Sequence, residues 1–279
     1  MSLLYINWDV NPEIVNIGGG FPLKYYGLLF CIGLILCYNL LGKVYKKEQL
    51  SEKAHEALFA YAFIGILVGA RLGHCLFYDF DYYSQHPLEI FLPIQKGEDG
   101  AYHFIGYAGL ASHGGVIGLI IMMIFYARKY KIQFLRIFDI IAIVAPLGGA
   151  FIRLGNLMNS EIIGTPSNLP WAFIFRHVDD VPRHPAQLYE AISYFIIFFL
   201  VYFIYQKGIF KAGKGFYFGI SICLIFILRI AVEFIKVDQV GFEHGMILNM
   251  GQILSIPFII LGLFFIIKNL LGMKKLQTS

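Results

Sequence analysis

Seven runs of about 20 predominantly apolar residues, near 24–42, 57–79, 107–127, 137–158, 187–206, 215–235 and 249–268, alternate with polar stretches along the chain. A run of that length is what an α-helix needs to cross the hydrocarbon core of a bilayer. The pattern predicts an all-α polytopic membrane protein of seven transmembrane helices, a single integral membrane domain over 1–279. Two connecting stretches, 80–106 and 159–186, are long, and loops without packing duty are where binding function concentrates. The first mixes aromatics, Pro and charge, as an amphipathic arm lying on the membrane surface would. No internal repeat, inverted pair of half-sequences or low-complexity segment is visible, so the pattern expected of many secondary transporters is missing.

Composition agrees: 58% hydrophobic and 14% charged residues, with a mean hydropathy of +0.68, lie outside the balance of a soluble domain. Charge adds orientation, because Lys and Arg collect in cytoplasmic loops. Lys43, Lys46, Lys47, Lys53, Arg128, Lys129, Lys131, Arg136, Lys207, Lys211, Lys214, Lys268, Lys274 and Lys275 follow the first, third, fifth and seventh runs. The opposite side holds only Lys24, Lys96, Arg176, Arg183 and Lys236. The N-terminus is therefore expected outside and the C-terminus in the cytoplasm, with both long loops on the outer face. The net charge of +4 is a topology signal, and no nucleic-acid partner is implied. The first 20 residues show no basic n-region and no small-residue cleavage site, so no removable signal peptide is expected. Cys31, Cys37, Cys75 and Cys223 fall inside the runs at spacings that suggest neither a disulfide frame nor a zinc site, and read as packing residues.

Arg71, Arg153 and Arg229 interrupt three of the runs. A guanidinium within hydrocarbon costs roughly 2.5–3.5 kcal/mol on insertion scales, so three at matching depth imply a shared anionic ligand or a polar cavity. With the orientation above, other polar residues reach the same outer level: Tyr26, His113, Asn156, Asn159, Glu161, His184, Gln187, Glu190, Glu233 and Gln252. A lipid headgroup is the natural ligand at that depth. Arg suits a phosphodiester because its planar fork donates bidentate, charge-assisted hydrogen bonds. Asp139, at the inner start of the fourth run, reads as a helix cap or structural partner. Gly69, Gly73, Gly148, Gly149 and Gly155 read as points of close helix approach.

The segment RLGNLMNSEIIG, Arg-x-Gly-Asn-x-x-Asn-x-Glu-x-x-Gly, resembles the signature of the bacterial prolipoprotein diacylglyceryl transferases. Tyr25-Tyr26-Gly27, Gly-Ala-Arg-Leu-Gly at 69–73, His-Gly-Gly at 113–115, Arg-His-Pro-x-Gln-Leu-Tyr-Glu at 183–190, Arg229-x-x-x-Glu233 and Gly-Gln-x-x-Ser at 251–255 resemble that family in the same order. The likeness runs from about 20 to 257. Ile152 stands where the family usually has Gly, and Leu157 where Phe is common. The resemblance implies transfer of the sn-1,2-diacylglyceryl group from phosphatidylglycerol to the lipobox cysteine in the signal peptide of a prolipoprotein, at the outer leaflet of the bacterial plasma membrane. A thioether forms and glycerol 1-phosphate leaves.

Displacing a phosphate ester at an sp³ carbon by sulfur requires the thiol to lose its proton and the leaving phosphate to be neutralised. A free Cys with a pKa of about 8.5 is only roughly 3% thiolate at pH 7. His113 is the first candidate for the base. The alternative is that His113 only hydrogen-bonds the lipid while substrate or solvent takes the proton. Arg153 and Arg229 are the candidates for gripping the phosphate as charge develops. Arg71 is either a third or an arginine snorkelling toward headgroups. Glu233 is expected to orient Arg229 through i,i+4 pairing, and Glu161 to orient Arg153 or bind the glycerol head. Asn156, Asn159 and Gln187 suit the glycerol hydroxyls, though the asparagines also suit interhelical contacts. Tyr26 suits the headgroup boundary. His184 fits the start of a helix as well as it fits chemistry, and His74, His86, His103 and His244 read as interfacial or loop residues. Neither a metal nor an organic cofactor is called for.

Three other classes compete. A transporter or flippase for an anionic lipid needs polar groups through the bilayer, whereas the inner halves of the runs are almost wholly apolar. An intramembrane protease needs a serine nucleophile, an aspartate pair or a metal motif. A purely structural membrane protein leaves the cost of three intramembrane arginines unexplained.

Overall fold

A computed structural model of the 279-residue chain describes residues 5–16, 22–92, 94–97, 100–104, 109–237 and 248–277. His244 lies outside the described residues. Each apolar run lies on a helix: α1 (Tyr25–Lys47), α2 (Glu52–Phe77), α5 (Ser112–Tyr130), α6 (Phe134–Met158), α7 (Ala186–Lys207), α8 (Phe216–Glu233) and α9 (Met250–Gln277). Two short helices, α3 (Phe80–Gln85) and α4 (Leu88–Phe91), lie between α2 and α5. Among the described residues six helices are long and apolar enough to cross a membrane: α1, α2, α6, α7, α8 and α9. The third expected run is α5, whose 19 residues carry His113 in the first turn and Arg128 and Lys129 in the last, which lowers its hydropathy.

The chain divides into two compact units, one of 1–44 and 138–279, the other of 45–137. Both boundaries fall within helices, α1 and α6, where the sequence offers no linker.

In the larger unit α7 packs on α8 and α8 on α9. A small sheet caps the end of α6: β1 (Ile6–Trp8) pairs in parallel with β6 (Phe173–Phe175), which pairs antiparallel with β7 (Pro182–Arg183). Trp8 packs at a tilt against Phe173 and donates its indole N–H to the Leu157 carbonyl at 3.1 Å. Leu157, Phe173 and Phe175 form the buried cluster under that sheet. A second pair, β2 (Glu13–Asn16) with β3 (Pro22–Lys24), leads into α1. Asp139 lies inside α6 rather than at its start, and the helix it caps is α8. Its buried carboxylate accepts from the backbone N–H groups of Gly213, Gly215 and Phe218 at 2.7, 2.8 and 2.8 Å. Gly215 and Phe218 supply orphan donors of the α8 N-terminus, and Gly213 lies in the approach to it.

In the second unit α2 starts on Ser51, whose hydroxyl accepts from the Ala54 N–H, and α2 packs against α5. Gly65, Gly69 and Gly73 meet Gly114 and Gly118 so closely that a Cβ on Gly73 would stand 2.7 Å from the Gly114 Cα. Backbone therefore rests on backbone, as small residues permit in membrane helix pairs. The 80–106 stretch contains α3, α4 and a hairpin of β4 (Ile94–Lys96) with β5 (Tyr102–Phe104). Phe80, Leu88, Phe91, Leu92 and Tyr102 are exposed on it.

Candidate active site

The signature segment ends α6 and turns back on itself. Ser160 and Ile162 adopt left-handed backbone, at φ of 52° and 58°, a costly conformation for non-glycine residues that persists only where surroundings enforce it. The reversal lets the Glu161 N–H reach the Asn156 carbonyl. It also brings the Glu161 carboxylate to the side-chain amides of Asn156, at 2.7 Å, and Asn159, at 3.4 Å. Asn156, one helical turn on from Arg153, accepts from its Nη1 at 3.4 Å. Glu161 thus acts on Arg153 through Asn156. Tyr26 packs its ring against Gly155, beside this group.

α7 adds the next layer. Gln187 donates to the Glu161 carbonyl at 2.5 Å and is fully buried. Glu190, also fully buried, stands between two cations: Oε2 is 3.1 Å from Arg153 Nε, and Oε1 accepts from Lys236 Nζ at 2.8 Å. Tyr194, one turn further, neighbours Arg153. His184 leads into α7, with Nδ1 3.4 Å from the Tyr189 hydroxyl and its backbone paired with Thr165 and Gly164.

The end of α8 closes the network. Glu233 Oε1 is 3.6 Å from Lys236 Nζ and 3.9 Å from Arg229 Nε, while Oε2 accepts from Asn249 at 3.1 Å. Glu233 is therefore shared, and its contact with Arg229 is the longest of the three. Gln252, at the first turn of α9, reaches the Ile230 carbonyl at 3.3 Å. Lys236 is held inward by a β-bridge between its backbone and Gly164.

Three cations, Arg153, Arg229 and Lys236, thus interleave with three carboxylates, Glu161, Glu190 and Glu233. Among the described residues the buried side-chain atoms without a hydrogen-bond partner are Asn159 Oδ1, Ser160 Oγ, Gln187 Oε1, Glu190 Oε2 and Arg229 Nε, all of them in or beside this network. The 3.1 Å approach of Arg153 to Glu190 is thus an ion pair off the hydrogen-bonding direction. Unpaired buried polar atoms are costly, and those of the described residues are concentrated here. No group of three His, Cys, Asp or Glu that could hold a metal occurs among the described residues.

In the second unit Arg71 is buried, and its guanidinium donates to the carbonyls of Ile90 at 3.1 Å, Glu89 at 2.5 Å and Gly109 at 3.5 Å. It also lies 4.8 Å over the Tyr83 ring. The side chain is covered by the segment whose carbonyls it meets. His113 is exposed in the first turn of α5, directly before the Gly114 contact with α2.

The sequence pattern described as prolipoprotein diacylglyceryl transferase matches residues 12–268. The chain belongs to the prolipoprotein diacylglyceryl transferase family. A relative from Bacteroides fragilis, named phosphatidylglycerol–prolipoprotein diacylglyceryl transferase, is 51% identical over 94% of this chain and 95% of its own length. Relatives of the same name from Chloroherpeton thalassium and Porphyromonas gingivalis are each 40% identical, covering 99% and 95% of this chain and 98% and 94% of theirs. Lys236 reads in sequence as an ordinary outer-loop lysine, Tyr194 and Asn249 carry no role there, and Glu190 is placed at the outer level without a partner. The signal available was spacing: Arg229 and Glu233 at i and i+4 share one face of α8, as Gln187, Glu190 and Tyr194 at i, i+3 and i+7 share one of α7.

Proposed function

We propose that this chain transfers the sn-1,2-diacylglyceryl group of phosphatidylglycerol to the thiol of a prolipoprotein lipobox cysteine. The observation that carries this reading is the convergence of Arg153, Arg229 and Lys236 with unpaired buried polar atoms at α7 and at the ends of α6 and α8, in a chain of this family. The thiolate attacks the sp³ carbon of the ester, a C–S bond forms, the C–O bond breaks, and glycerol 1-phosphate leaves with the electron pair. Arg153 and Arg229 neutralise that phosphate, an interaction that strengthens as charge develops. Asn156, Asn159 and Gln187 serve the glycerol hydroxyls, Glu161 holds the asparagines, and Tyr26 bounds the headgroup. His113 takes the thiol proton. Arg71 serves the reaction indirectly, by fastening the 80–92 segment.

The chain spans the plasma membrane seven times, α5 being the additional crossing, with the N-terminus outside, the C-terminus inside and the site at the outer leaflet. The distribution of Lys and Arg supports this orientation. No observation favours the transporter reading. The test is a reconstituted assay with purified protein, phosphatidylglycerol and a lipobox peptide, beside the same peptide with Cys replaced by Ser. Glycerol phosphate release matched by a diacylglyceryl mass gain on the Cys peptide alone is expected. Release without cysteine, or none, refutes the reading.

A further inference from the structure

We propose that Glu190 and Lys236 act as a positioning bridge that sets the spacing and tilt of the two arginines, a claim resting on the transferase reading above. Glu190 side-chain exposure is 0% and that of Lys236 is 3%, and their contact at 2.8 Å joins α7 to the segment after α8. On one side Glu190 faces Arg153 Nε, whose Nη1 is engaged by Asn156. Glu190 and Asn156 thus meet the guanidinium on two edges, by charge at Nε and by a hydrogen bond at Nη1. On the other side Lys236 faces Glu233, which in turn faces Arg229. A continuous chain of contacts, Arg153 to Glu190 to Lys236 to Glu233 to Arg229, thus connects the two groups assigned to one phosphate.

A buried ion pair is a poor device for stability, because the desolvation of both charges offsets their attraction, and apolar replacements of similar volume are often neutral or stabilising. Its value lies in geometry. Transition-state binding is sensitive to displacements of the order of 1 Å, and a bridge anchored on two helices controls such displacements. Neither Glu190 nor Lys236 needs to touch the substrate for this.

The bridge makes a prediction that separates positioning from mere packing. Wild type, Glu190→Gln/Lys236→Met and Lys236→Arg are purified in phosphatidylglycerol nanodiscs, and kcat, KM for the lipid and the thermal midpoint are measured. The neutral double variant should melt within about 3 °C of wild type, yet lose at least about 10-fold in kcat with KM changed less than about 5-fold. Lys236→Arg, which keeps the bridging charge, should retain kcat within about 5-fold. A double variant that melts normally and loses less than 10-fold overturns the proposal. So does one that no longer folds, since the bridge would then be a stability element. A wild-type protein that forms no thioether refutes the transferase reading instead. In that case stabilisation by phosphatidylglycerol, compared in nanodiscs with and without it, is the readout: loss in the double variant supports the bridge and retention overturns it.

Discussion

Gly164→Ala probes the site through the backbone alone. Gly164 closes the signature segment and is sandwiched between two strands of chain: an added Cβ would stand 2.6 Å from both the Cβ and the carbonyl oxygen of His184 and 2.7 Å from the Ile235 carbonyl oxygen. Ordinary contact begins near 3.5 Å, so something must retreat by roughly 0.9 Å. Two of the three obstacles are backbone atoms that cannot rotate away. One strand leads three residues on to Gln187 and the other directly to Lys236, so the retreat is passed to Glu161 and Glu190 through their contacts. Overpacking of this size costs about 1–3 kcal/mol, a lowering of the thermal midpoint by roughly 3–10 °C. Misplacing the arginine network by nearly 1 Å costs about 100-fold in turnover. The assay is thioether formation per folded molecule, with the thermal midpoint measured on the same preparation. A variant that turns over within about 3-fold of wild type would show that the strands yield without moving the network and would refute the reasoning.

Three further outcomes are expected. Arg71→Ala removes donors from the carbonyls of Glu89, Ile90 and Gly109, so limited proteolysis within 80–92 should accelerate while transfer falls less than in Arg153→Ala; unchanged proteolysis would contradict the fastening role. Asp139→Ala strips the acceptor from three N–H groups of α8 and its approach, about 1–3 kcal/mol for each buried donor, so the thermal midpoint should drop by several degrees while activity per folded molecule holds; a loss of activity at unchanged stability would count against it. The hydrogen bonds from Arg183, together with its charge and the Val181 N–H, hold the Asp179 carboxyl below its ordinary value. A depressed folded value means that this contribution to stability is complete above about pH 4 and is lost as pH falls further. Asp179→Asn should therefore flatten the acid limb of the stability profile below pH 4, and an unchanged limb would argue against the pair.

The sequence was most legible where the cause is local. An apolar run of membrane length is a helix whatever surrounds it, and every expected run lies on one. The end of α6 was legible for the same reason, since Arg153 and Asn156 meet across one helical turn. What depends on distant chain was hidden. The carbonyls that receive Arg71 lie 18, 19 and 38 residues away, and backbone acceptors leave no mark on side-chain identity. Lys236 is buried because its backbone bridges Gly164, a pairing that turns an outer-loop lysine into the partner of Glu190. Asp139 reads as a helix cap or a structural partner, and the helix start it serves is not its own but that of α8. The i,i+4 spacing of Arg229 and Glu233 holds in the structure, yet Lys236 and Asn249 draw Glu233 closer than Arg229 does.

The central claim is that the arginines on α6 and α8 stabilise the departing phosphate. The most direct measurement is single-turnover thioether formation by Arg153→Ala and Arg229→Ala beside wild type, in nanodiscs saturated with phosphatidylglycerol and with folding verified by thermal midpoint. Removing one preorganised group at a developing charge costs about 100- to 1000-fold, and that loss is expected in each variant. Near-normal turnover by either folded variant would contradict the account.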